Sequence, residues 1–149
     1  MGAADVAEDL MHQGFNCAQS VLGACGPALG MDRDTCLRLA APFGGGFARA
    51  GETCGALSGA LLVVGLARGV ASPLPEDKER GYGPARDLVE RFRQAHGALA
   101  CRVLAGVDMS TPEGLQEYRD RGLHDTLCPR YVRTACRLLE ELLPGQVEA

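Results

Sequence analysis

The segment from Gly44 to Gly59 constrains the fold most, because it runs from three consecutive glycines through Cys54 directly into an apolar stripe. Leu57, Ala60, Leu61 and Val64, with Ala56 beside them, follow the i, i+3, i+4, i+7 spacing of one helical face, which predicts a buried central helix near 54–68. Thr53 is placed to cap it, making Cys54 the first helical residue. A thiol there faces unpaired N–H groups and the positive end of the helix dipole, which favour the thiolate that attacks disulfides and binds metals. Gly51, Gly55 and Gly59 recur every four residues and leave a bare strip suited to close packing of a neighbouring helix. The Gly44–Gly46 loop with Arg49 could form a backbone nest for an anion. It lacks the lysine and hydroxyl of a P-loop, and a simple change of chain direction is the better account of it.

The same period marks the rest of the chain. Ala3, Val6, Ala7, Leu10 and Met11 predict a first helix ending near Gly14, and Asn16 caps a second that opens at Cys17 and carries Ala18, Val21, Leu22 and Cys25. Asp32 or Asp34 starts a third, with Cys36, Leu39, Ala40 and Phe43 on one face. Gly69 to Pro84 holds prolines and the charge run Glu76-Asp77-Lys78-Glu79-Arg80 and reads as a solvated loop. Ala85, Leu88, Val89 and Phe92 mark a helix ending near Gly97. Thr111-Pro112 opens a short helix running toward Gly122, and Val132, Ala135, Cys136, Leu139, Leu142 and Leu143 form the stripe of the last, with Cys128 just before Pro129. No segment alternates with a period of two. The expectation is therefore one all-α domain over 1–149, with about six helices.

A chain of 149 residues buries roughly 68–70% of its unfolded surface, so it folds without a metal or disulfide staple. A net charge of −4 and 5% aromatic residues, with acids and bases mixed, provide neither a basic stripe nor a stacking platform for nucleic acid. The apolar run from Cys54 to Ala67 stops short of the roughly 18–20 residues of a membrane span. Asp5, Glu8 and Asp9 interrupt any secretory pattern near the start, and the expected compartment is the cytoplasm. Leu61 to Leu66 could pack within the chain or against a second copy, making a homo-oligomer one candidate assembly.

Seven cysteines in a reducing compartment point to metal binding, redox chemistry or buried thiols rather than a disulfide framework. Cys25, Cys36 and Cys136 fall on apolar stripes and read as core. Cys17, Cys54 and Cys128 fall at helix starts and Cys101 follows a glycine break, so these four are the candidate ligands of a metal or iron–sulfur cluster. No Cys-x-x-Cys occurs, which removes the zinc-ribbon, thioredoxin and ferredoxin patterns. His12 and His96 stand alone, whereas His124, four residues before Cys128, is a spare ligand candidate. No Ser/His/Asp pattern or acid pair supports hydrolysis.

With its cysteines sorted, the chain resembles the CGCAxxG-type cysteine family over about residues 10 to 140. The motifs are Cys17 in Asn-Cys-Ala-Gln-Ser-Val, Cys54-Gly55-Ala56-Leu57-Ser58-Gly59, Cys101 in Cys-Arg-Val-Leu-Ala-Gly, and Cys128. Thr53 stands where the family commonly has glycine, and Leu104-Ala105-Gly106 where it tends to have Leu-Leu-Gly. The resemblance implies a redox or cofactor-binding role, and related domains occur beside haem domains in electron-transfer proteins. Three readings follow. Cys17, Cys54, Cys101 and Cys128 hold an iron–sulfur cluster for electron transfer with a redox partner protein; or Cys54 is the reactive thiolate of thiol–disulfide exchange, resolved by Cys17 or Cys128; or the site is structural zinc or a non-catalytic interaction domain.

Overall fold

The computed structural model describes residues 1–148, and among them the regular structure is helical apart from one isolated antiparallel bridge. The helices are α1 (Ala3–His12), α2 (Cys17–Cys25), α3 (Arg33–Ala40), α4 (Gly55–Arg68), α5 (Pro75–His96), α6 (Cys101–Ala105), α7 (Pro112–Asp120), α8 (Leu123–Thr126) and α9 (Cys128–Leu142), with single 3₁₀ turns at Pro27–Leu29 and Ala41–Phe43. The all-α expectation holds; short α6 and α8 add to the larger helices that periodicity reveals. Among the described residues no helix is long and apolar enough to cross a membrane.

α4 is the centre of the main core, buried along Gly55 to Ala60 and again at Val63 and Val64. Around it pack α2, α5 and α9, with α1 set against α2 and α9, and Met11, Leu22, Leu88, Phe92 and Leu139 of these helices are fully buried. Burying one such leucine contributes about 1.5–3 kcal/mol. The glycine strip acts as its spacing suggests at two positions: a Cβ on Gly59 would lie 2.7 Å from the Ala18 carbonyl oxygen, and one on Gly55 would lie 3.2 Å from the Cys17 Cβ. The backbones of α2 and α4 therefore meet directly, and that contact sets Cys17 beside the start of α4. A second, smaller core of Ala105, Val107, Met109 and Leu123 unites the segment from α6 to α8, with Tyr118 and Leu127 packed against both cores.

The solvated loop expected from Gly69 to Pro84 ends at Leu74, since α5 begins at Pro75. Pro75 occupies the first turn, where no N–H partner is lost, and Glu76 and Asp77 face the positive end of the dipole. Ser72 donates to Asp77 at 2.6 Å, and Arg80 pairs with Asp77 at 2.7 Å. Pro84 lies inside the helix, on a half of α5 exposed enough for water to satisfy the freed Arg80 carbonyl.

Candidate functional site

Each of four cysteines sits where a helix begins. Asn16 caps α2 through a reciprocal box, accepting from the Gln19 N–H at 2.9 Å while the Gln19 side chain accepts from the Asn16 N–H at 3.0 Å, so Cys17 is the first helical residue as expected. Thr53 does not cap α4. It is held in the bridge with Ala100, and Cys54 itself becomes the N-cap, one residue outside the helix. The same bridge joins the Cys54 N–H to the Leu99 carbonyl at 2.8 Å and the Cys101 N–H to the Glu52 carbonyl at 2.5 Å. It thereby aligns two helix starts, α4 on one side of the bridge and α6 on the other. Cys128 is the first residue of α9, with Pro129 second rather than first.

These four starts converge. Cys17, Cys54, Cys101 and Cys128 line one cavity of about 30 Å³, closed by Gly45, Leu104, Ala105, Met109, Tyr118 and Tyr131. Cys54 and Cys128 are buried, Cys17 and Cys101 half-buried. The Tyr131 hydroxyl donates to the Leu104 carbonyl at 2.8 Å and ties α9 to α6 across the site. Burial pushes the Cys54 thiol up to about 12, although the N–H groups of Ala56 and Leu57 pull the other way, and burial with the nearby Cys128 pushes Cys101 to about 11. Cys128 moves in the opposite direction. A hydrogen bond from the Cys17 thiol lowers it, with help from the Tyr118 hydroxyl 3.2 Å away, and these outweigh its burial. Cys17, the donor of that pair, is correspondingly raised. Within this pair ionisation is thereby biased toward Cys128 and away from Cys17.

A family model described as "Putative redox-active protein (C_GCAxxG_C_C)" matches residues 15–142. The chain belongs to this family. No curated protein and no solved structure matches the chain. The family's pattern of cysteines and glycines has a direct physical reading in this fold: Gly55 and Gly59 admit the backbone of α2, and that approach places Cys17 next to Cys54.

Four soft donors around one small cavity suit iron or zinc in kind and number. As the side chains stand, no group of three or more His, Cys, Asp or Glu among the described residues is arranged to hold a metal ion. The Cys17 thiol bonds Cys128 instead, and the Cys128 thiol lies 3.2 Å from the Tyr118 hydroxyl. The cavity is small, though large enough to hold a water. It adjoins an outer cleft of about 410 Å³, and Gly45, Met109 and Tyr118 line both.

The remaining cysteines of this family member lie apart from the cavity. Cys25, Cys36 and Cys136 are fully buried in the main core, where Cys25 and Cys136 form their own thiol contact. His124 lies in the outer cleft, and its Nε2 bonds the Met11 carbonyl at 2.8 Å, tying α8 to the end of α1. Tyr118 is the site residue that sequence reasoning missed; its half-buried place on α7, between the two cores, follows from tertiary packing alone. Also unforeseen is the backbone from Gly45 to Arg49, in which five consecutive residues, among them Phe47, Ala48 and Arg49 at φ 65°, 52° and 68°, are left-handed. The turn is fixed by the Ala48 N–H on the Pro42 carbonyl at 2.7 Å and the Arg49 N–H on the Gly44 carbonyl at 3.0 Å.

Proposed function

We propose that Cys17, Cys54, Cys101 and Cys128 together bind an iron–sulfur cluster and that the protein serves electron transfer. The observation that carries this reading is the convergence of four helix-start thiols on one small cavity. A cluster held by four thiolates accepts and releases single electrons at a potential set by hydrogen bonds to sulfur and by solvent exclusion. The chain supplies both. Free N–H groups at the starts of α2, α4 and α9 stabilise negative charge, Tyr118 offers a hydroxyl donor, and Leu104, Ala105, Met109 and Tyr131 keep water out. Sulfide-bridged irons need more room than 30 Å³, and an outward turn of Tyr118 and Met109 into the adjoining cleft would provide it. A single zinc ion fits the same donors with less rearrangement.

A second reading is favoured by the Cys17–Cys128 contact. In thiol–disulfide exchange the Cys128 thiolate attacks a disulfide and releases one thiolate, and Cys17 then displaces the second as a Cys17–Cys128 disulfide forms. The hydrogen bonds favour Cys128 over Cys54 as attacking group, because burial holds Cys54 neutral.

Serine substitution separates these readings. Each of Cys17→Ser, Cys54→Ser, Cys101→Ser and Cys128→Ser is expected to remove most of the bound iron, whereas Cys136→Ser keeps it and loses about 1–2 kcal/mol of stability. Under thiol exchange, Cys128→Ser alone abolishes disulfide reduction and Cys101→Ser retains it. Iron retained by all four single variants would exclude the cluster.

A further inference from the structure

We propose that the outer cleft beside the thiol cavity binds a small anionic molecule, a carboxylate or phosphate compound, through Arg49. The cleft, of about 410 Å³, lies within the 300–1,000 Å³ of small-molecule sites. The chain has more acidic than basic residues, yet no aspartate or glutamate lines this cleft. Arg49 lines it and makes no ion pair or side-chain hydrogen bond among the described residues. An anion arriving there meets a guanidinium whose charge nothing else neutralises, able to grip a carboxylate or phosphate with two parallel N–H donors.

Arg49 is held there at a cost. Left-handed backbone disfavours L-residues by about 1–2 kcal/mol each, and Phe47, Ala48 and Arg49 all adopt it in succession. Such strain persists where surrounding contacts over-determine it, and it clusters at ligand clamps. Here the Arg49 N–H on Gly44 and the packing of the Phe43 and Phe47 rings, 5.9 Å apart, supply the restraint. The remaining polar wall is already fixed. The Asn16 side chain is committed to the Gln19 N–H and the Ala41 carbonyl, and the His124 Nε2 to the Met11 carbonyl.

Gly45, Met109 and Tyr118 are common to the cleft and the thiol cavity, so a ligand bound by Arg49 rests against the Tyr118 ring whose hydroxyl reaches Cys128. This deepens the redox reading by giving its centre a small anionic partner, but the binding step itself involves no metal and no thiol chemistry.

The test is calorimetric titration of the reduced, metal-free chain with citrate and, separately, inorganic phosphate. Binding of at least one probe tighter than about 10 mM is expected. It should weaken tenfold or more in Arg49→Asn, which removes the cation while tolerating left-handed backbone, and equally in Arg49→Gly, which relieves the strain. Arg102→Gln, outside the cleft, should bind as the parent does. Absence of binding by both probes, or binding unchanged in folded Arg49→Asn and Arg49→Gly, overturns the proposal. Iron content of the parent chain reports on the thiol centre separately, so failure of one reading is distinguishable from failure of the other.

Discussion

Tyr118 is the residue on which the electrostatics of the site turn. Its hydroxyl and the Cys17 thiol both bond Cys128, the one cavity cysteine whose ionisation is favoured rather than opposed. Hydrogen bonds to a charged group are worth about 1.5–3 kcal/mol, and each pKa unit corresponds to about 1.4 kcal/mol. Tyr118→Phe should therefore raise the Cys128 pKa in the metal-free chain and slow its alkylation at pH 7. Mass-resolved alkylation across pH measures this, and an unchanged profile would mean that Cys17 alone sets the ionisation. At this scale the four thiols were legible, because Asn16 and Pro129 are local signals of helix starts. Tyr118 was not legible, since nothing near it in sequence announces a site. Nor was the ionisation order, which depends on burial and on which thiol donates.

At the scale of elements, the central contact is α2 on α4. Gly59→Ala puts a methyl group 2.7 Å from the Ala18 carbonyl oxygen and 3.0 Å from its Cα, and backbone cannot yield as a side-chain tip can. We expect a loss of about 1–3 kcal/mol and a weaker metal site, because α2 must move away and carry Cys17 with it. Urea unfolding together with metal titration reads both; full stability with full metal affinity would contradict the packing account. The glycine strip was legible from its four-residue spacing, and α4 was misread only at its cap. Thr53 has the right chemistry for an N-cap, but its backbone is claimed by Ala100, a partner 47 positions away that local pattern cannot reveal. The first half of α5 was hidden for the converse reason: its prolines, glycines and charges imitate a loop, while Pro75 and the acids behind it form a sound helix start.

At the scale of the molecule, titrating groups bound the pH range of the metal-free fold. Burial raises Cys54 to about 12 and Cys101 to about 11 from an ordinary 9.0, so the unfolded chain ionises first and stability falls as pH rises above 9. His96 acts at the other end. Both ring nitrogens are buried without partners, with the ring set edge-on to Phe92 and Tyr131. Burial, then Arg130 and Arg137, hold it below 6.5, so the unfolded chain takes up a proton first and stability falls as pH drops below 6.5. The urea midpoint should accordingly decline below pH 6.5 and again above pH 9, with the lowered Cys128 thiol adding a rise toward pH 9 between them, and the alkaline decline should shrink when metal already holds the thiolates. A midpoint still rising at pH 10 in the metal-free chain would contradict this assignment.

The claim at the centre of this account is that four convergent cysteines hold an iron–sulfur cluster. Anaerobic isolation, followed by assay of iron and acid-labile sulfide per chain alongside the visible spectrum, tests it most directly. The account predicts iron and sulfide in matching amounts, with a broad thiolate-to-iron absorption that disappears in Cys54→Ser. A colourless chain that contains neither, and takes up neither when both are supplied under reducing conditions, would contradict it.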